Sequence, residues 1–146
     1  MVLRATSFAR ANFVTERPFA VIELEAQERH LRRKLITLKD GNEVLIDFAK
    51  TVKLEDGDCL VLEDGRLIQV AARDEDLIEI RGRDATHLAQ LAWHIGNRHL
   101  EAQIEEARIL IRPDAVIARM LEGLGAAIRN TREKFSPEHG AYSHAH

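Results

Sequence analysis

The sequence predicts an α+β protein: a small all-β domain over residues 1–73, then a ferredoxin-like βαββαβ domain over residues 74–135. Three observations carry this. In the first half, short runs rich in Val, Ile and Leu are punctuated by Asp40-Gly41, Asp56-Gly57 and Asp64-Gly65, pairs that supply the positive φ angles of tight hairpin turns. Helical spacing of apolar residues appears only beyond Asp84, in two stretches. Short strand-like runs precede, separate and follow those stretches, which is the βαββαβ order. Residues 136–146 have no apolar face and are expected to form a flexible, histidine-containing tail.

Along the chain, strands are expected at Val21 to Leu24, Lys34 to Leu38, Val44 to Phe48, Cys59 to Leu62 and Leu67 to Val70. An opening strand and loop account for the residues before them. The charged stretch Arg73 to Asp76 reads as a linker, and Leu77 to Arg81 as the next strand. Asp84 is placed to N-cap a helix whose Leu88, Leu91, Ala92 and Ile95 form one buried stripe. Gly96-Asn97 is expected to stop it, since both residue types tolerate the left-handed conformation. Ala102 to Glu105 and Arg108 to Ile111 read as short strands. Pro113 suits the first turn of a second helix, with Asp114 favouring its positive end. Val116, Ile117, Met120, Leu121 and Leu124 carry that helix's apolar face, Gly123 and Gly125 end it, and Ala126 to Thr131 is a closing strand.

The 146 residues are 45% apolar and 31% charged, the balance of a soluble globular chain. The formal net charge of −3 lacks the basic excess of a sequence-independent nucleic-acid binder. The local run Arg29 to Lys34 reads as a solvated strand or loop face. One cysteine, Cys59, closes no intrachain disulfide and reads as a small strand or core residue. No apolar stretch approaches the ~18 to 20 residues of a membrane span, and the N-terminus lacks the apolar region of a secretory signal. A cytoplasmic protein without membrane or nucleic-acid partners is expected.

Chemistry is concentrated in seven histidines. The chain has no H-E-x-x-H helix, C-x-x-C pair, phosphate loop or G-x-S-x-G elbow. His94 and His99 stand five apart across a predicted helix end, whereas ligands on one helix face sit at i, i+3 or i, i+4. Spacing alone therefore leaves two readings open: separate structural and surface histidines, or ligands redirected by a break in the helix. In the tail, His139, His144 and His146 provide neutral imidazoles suited to Ni²⁺, Cu²⁺ and Zn²⁺ alike. The alternative there is a solvated terminus. His87 is expected in a buried structural role, and His30 facing solvent.

The segment Leu91-Ala92-Trp93-His94-Ile95-Gly96-Asn97-Arg98-His99 resembles the signature of the UreE family: His, an aliphatic residue, then Gly-Asn-Arg-His. Arg33-Lys34-Leu35 leading to Asp40-Gly41, Leu54 to Asp58 before a hairpin, and the histidine-bearing C-terminus extend the likeness over nearly the whole chain. The resemblance implies a nickel metallochaperone and not an enzyme. It implies a homodimer formed through the ferredoxin-like domain, with His99 of each copy sharing one Ni²⁺ at the isologous interface. His94 and tail histidines 139, 144 and 146 would complete the coordination, and Zn²⁺ or Cu²⁺ could substitute. It further implies an N-terminal domain like the peptide-binding domain of Hsp40-type chaperones, used for partner docking. The partners implied are the urease apoprotein, the GTPase UreG, and UreF and UreD. One departure stands out: some members carry extra histidines before the second helix, where this chain has Arg112-Pro113-Asp114-Ala115.

Three other readings compete. The βαββαβ order is also that of RNA-recognition modules, which need exposed sheet aromatics, and the expected strands of this domain contain none. A partner-docking scaffold with incidental histidines is the second. A metal-dependent enzyme is the third, and the carboxylate nearest His99 in sequence is Glu101.

Overall fold

The structure is a computed structural model that describes residues 2–138. The chain divides into two compact units between Arg73 and Asp74.

Unit 1 is a single six-stranded sheet. Its strands are β1 (Val2–Ala9), β2 (Ala20–Leu24), β3 (His30–Thr37), β4 (Glu43–Lys53), β5 (Cys59–Leu62) and β6 (Leu67–Ala72). Their spatial order is β2-β6-β5-β1-β4-β3, so β2 and β3 are the two edges. β1 runs parallel to β4 and β2 parallel to β6, while β3–β4, β1–β5 and β5–β6 are antiparallel. Period-2 alternation sends Val44, Ile46 and Phe48 of β4, Leu60 and Leu62 of β5, and Ile68 and Val70 of β6 into one core. Gly65 turns the β5–β6 hairpin at φ +90°, and Asp64 Oδ1 accepts from Arg66 N at 3.0 Å, so the Asp-Gly pair fixes the turn as expected. Cys59 is buried.

Two charged residues are buried in this unit. Asp58 accepts from Arg10 Nη1 (2.8 Å), Ala11 N (3.0 Å) and Glu55 N (2.8 Å), tying the segment after β1 to the turn before β5. Arg29 corrects an expectation. The basic run was expected to face solvent throughout, and Arg32, Arg33 and Lys34 do. Arg29 is 0% exposed. It sits on the single 3₁₀ turn before β3, where Nε donates to Leu54 O at 3.1 Å and Nη1 to Leu24 O at 3.0 Å.

Unit 2 contains β7 (Asp74–Arg81), α1 (Ala85–Asn97), β8 (Gln103–Ile104), β9 (Ile109–Ile111), α2 (Ala115–Gly123) and β10 (Ala127–Lys134). The sheet order is β10-β7-β9-β8, with every neighbouring pair antiparallel. Ile78, Ile80, Ile109 and Ile111 pack with Leu88, Leu91 and Ile95 of α1 and Ile117 and Leu121 of α2. The expected linker Arg73 to Asp76 is instead mostly strand. β10 runs on to Lys134, and Asp74, Glu75 and Asp76 lie opposite Lys134, Glu133 and Arg132. The Arg132–Asp76 ion pair at 2.9 Å shows why charged residues suit a strand here. Beyond β10, Ser136 N donates to Gln103 Oε1, and Glu138 exchanges two backbone hydrogen bonds with Ala102.

Glu79 of β7 alternates with Ile78 and Ile80 and lies on the other side of the strand. It is 3% exposed and accepts from Arg81, Arg108 and Arg129, while Arg108 also binds Glu133 and Glu105. The hydrogen bond from Arg81, supported by those from Arg108 and Arg129, outweighs burial and pulls the Glu79 carboxyl down from 4.5 to about 2. A depressed carboxyl stabilises the fold above its unfolded pKa and loses that contribution as pH falls through the folded value. Unit 2 is therefore expected to weaken as pH drops from about 4.5 to about 2. In Glu79→Gln this component should flatten. Thermal unfolding followed by Trp93 fluorescence across that range checks it; equal acid sensitivity in both proteins would refute the assignment.

Candidate metal centre

Asp84 caps α1, its Oδ1 accepting from His87 N at 2.7 Å, as the sequence predicts. His87 is buried with both ring nitrogens engaged. Nδ1 accepts from Arg83 N at 2.9 Å, so Nε2 carries the proton and donates to Leu124 O at 2.8 Å. This histidine joins the two helices and has no lone pair left for a metal.

The other end of α1 carries the candidate ligands. The expected stop at Gly96-Asn97 falls later, because both residues remain helical and the left-handed residue is His99, at φ +60°. His99 N donates to Gly96 O (3.0 Å) and Leu100 N to Ile95 O (3.4 Å). Those two bonds make a Schellman motif with Arg98 as C-cap and His99 one residue beyond it. Leu100 packs on the same core as Ile95, which draws the chain back and forces the left-handed turn onto His99. α2 closes identically, with Gly125 N donating to Glu122 O (2.9 Å) and Ala126 N to Leu121 O (3.0 Å). There the left-handed residue is Gly125, at φ +91°. The same chain thus solves one backbone problem twice, once with glycine and once with histidine. A Cβ in this conformation costs roughly 1–2 kcal/mol.

His99 is exposed and His94, in the last turn, is half-buried with its ring edge-on to Trp93 at 5.1 Å. Arg98 Nε donates to Met120 Sδ at 2.9 Å, fastening this end of α1 to α2. Trp93 is 65% and Val116 75% exposed. Val116 was expected on the inward face; it occupies the second position of α2, where the buried positions are Ile117 and Leu121. Pro113 was expected within the first turn, but it precedes the N-cap, Asp114, whose Oδ1 accepts from Val116 N and Ile117 N. Glu101 is ion-paired with Arg112 at 2.6 Å.

Among the described residues, no three His, Cys, Asp or Glu side chains are gathered to hold a metal. His94 and His99 belong to no such cluster, and His139, His144 and His146 lie outside the described residues. No sequence periodicity marked the strain at His99, since that depends on where Leu100 packs.

The strands of unit 2 contain no aromatic residue, so they offer bases no stacking platform. No described helix is long and apolar enough to cross a membrane. Fold and site together define a two-domain α+β protein that holds a surface histidine in a strained helix terminus. Two family models match, the UreE urease accessory protein N-terminal domain over residues 6–73 and its C-terminal domain over residues 75–146. Similar proteins include urease accessory protein UreE 1 of Brucella suis biovar 1, 56% identical over 99% of this chain and 90% of that one. UreE of Agrobacterium fabrum is 51% identical over 99% and 89%, and UreE of Rhizobium etli 52% identical over 98% and 70%. The chain belongs to the UreE family of urease accessory proteins.

Proposed function

We propose that the protein is a nickel metallochaperone that delivers Ni²⁺ for assembly of the urease active site, and that it catalyses no reaction itself. One observation carries this reading: an exposed histidine occupies a left-handed helix terminus that glycine would fill with less strain. Strain of this kind persists where function requires the side chain.

Nickel here is cargo. His99 of two copies would meet across a two-fold axis, since an isologous interface brings the same residue from both sides. The exposed Trp93 and Val116 of the two helices support a homodimer through unit 2. The βαββαβ order and β10-β7-β9-β8 arrangement support calling that unit ferredoxin-like. His94 and the tail histidines 139, 144 and 146 would supply further imidazoles, exchanging one at a time as the ion is surrendered. Imidazole also accepts Zn²⁺ and Cu²⁺, so both should compete. Imidazole binds metal only when neutral, so protons compete with the ion and affinity should weaken in acid. Unit 1 would dock partners, with the urease apoprotein and the accessory proteins UreG, UreF and UreD expected in the cytoplasm.

Isothermal titration of Ni²⁺ into wild type and His99→Ala, with mass from light scattering, tests the reading. One tight site per dimer should disappear in the variant while the dimer persists. Equal binding by both proteins would show the remaining histidines to be incidental chelators and overturn the proposal.

A further inference from the structure

The chain does not leave unit 2 where its last strand ends. β10 is one edge of the sheet, and its final residue, Lys134, pairs with Asp74 at the start of β7. Beyond it, Ser136 N donates to Gln103 Oε1 at 2.9 Å, Glu138 N to Ala102 O at 2.7 Å and Ala102 N to Glu138 O at 3.1 Å. Ala102 directly precedes β8, the opposite edge of the sheet. Residues 135–138 therefore form a strap that passes from the β10 edge to the β8 edge.

The strap is fastened midway. Phe135 is 0% exposed, and Arg112, just past β9, lies over its ring with Cζ 5.0 Å from the centroid. Arg112 Nη1 donates to Glu101 at 2.6 Å. One guanidinium thus holds both the strap and the segment between His99 and Ala102. Ordering residues past the last strand costs backbone entropy, which the buried ring and the three hydrogen bonds offset.

The strap also has a direction. Its bridge to Ala102 is antiparallel, and in such a pair one chain advances as the other recedes. At Glu138 the chain is therefore travelling from Ala102 toward Glu101, Leu100 and His99. His99 stands three residues from Ala102, roughly 10 Å of chain at most. His139, His144 and His146 follow Glu138 by one, six and eight residues, so a tail rooted there needs little length to bring imidazoles to His99. We infer that Phe135 and the Ala102–Glu138 bridge position the metal site. They carry the root of the histidine tail across unit 2 and aim it at His99 of the same chain. This rests on the tail's ligand role proposed above and assigns the residues that deliver it.

Tail position is read first without metal. A nitroxide on Ala141→Cys, in a Cys59→Ala background, should broaden the amide signals of residues 98–101 in the full chain. Diluting the labelled chain with excess natural-abundance, unlabelled chain keeps the effect within one chain. In Phe135→Ala the broadening should move toward Asp74 and Lys134, where β10 ends. Nickel titration then forms a cycle with the triple variant His139→Ala, His144→Ala and His146→Ala. Phe135→Ala should weaken nickel binding about two- to fivefold when the tail histidines are present and not at all when they are absent. The link from fixed backbone to His144 lengthens from six residues to ten and starts beyond β7 and β9, which lowers the effective concentration of imidazole. Losing a buried ring also destabilises a fold, so a second variant keeps the ring. Glu138→Pro with Gln103→Ala removes two of the strap's hydrogen bonds and should repeat both results. Broadening of residues 98–101 that survives in both strap variants overturns the inference. So does a nickel effect that is equal with and without the tail histidines. If the triple variant binds nickel as tightly as wild type, the tail is no ligand and the positioning role falls with it, while His99→Ala still tests the interface site by itself.

Discussion

Replacing His99 by glycine is expected to leave the fold as stable as before, or up to about 1.5 kcal/mol more stable, while removing the tight nickel site. Relief of the left-handed strain favours the variant by roughly 1–2 kcal/mol. The greater freedom of glycine in the unfolded chain offsets about 0.4–1 kcal/mol of that. α2 already ends this way with Gly125, so the hydrogen bonds from residue 99 to Gly96 O and from Leu100 to Ile95 O should survive. His99→Ala keeps the Cβ and the strain and should show nickel loss without the gain in stability. Most ligand substitutions leave lost function and damaged structure entangled; here the two move in opposite directions. The measurements are thermal unfolding of the metal-free proteins and nickel titration. A His99→Gly protein clearly less stable than wild type would mean that the imidazole holds the helix end together, and the argument from strain would fail.

That strain also marks where sequence reading stopped. Alternation and Asp-Gly turns made β4, β5 and β6 legible, and the stripe of Leu88, Leu91 and Ile95 placed α1 together with its Asp84 cap. β1 was barely marked, although it lies inside the sheet, because only Ala5 of its eight residues is fully buried. β7 and β10 were read too short because their extensions, Asp74 to Asp76 and Arg132 to Lys134, carry charge; Arg132 pairs with Asp76 across the strands, and Glu133, opposite Glu75, is held by Arg108. At the site, the signature histidines were visible as residue types. The Schellman geometry that singles out His99 was not, because it follows from Leu100 docking beside Ile95.

Arg29→Ala is expected to cost unit 1 about 3 kcal/mol, within the usual range of roughly 2–5 kcal/mol for truncating a large buried side chain. Part of the loss is packing, since the whole Arg29 side chain is inaccessible. The rest is polar. Leu54 O would lose the Nε donor, and a buried acceptor left without one costs about 1 kcal/mol or more; Leu24 O would lose the Nη1 donor but keep Arg73 N. Arg29→Met restores volume but no donors and should fall between wild type and alanine. Arg29→Lys keeps the charge, yet one ammonium cannot reproduce a planar fork bonded to two carbonyls at once, so it should also be destabilised. The chain's one tryptophan, Trp93, lies in unit 2, so its fluorescence reports on that unit, while far-UV circular dichroism reports on both. In urea, the far-UV circular dichroism of Arg29→Ala should acquire an earlier transition while Trp93 fluorescence keeps its midpoint. If both signals in Arg29→Ala superimpose on those of wild type, Arg29 holds nothing that solvent could not replace. The basic run would then be the solvated face that its charge pattern suggests.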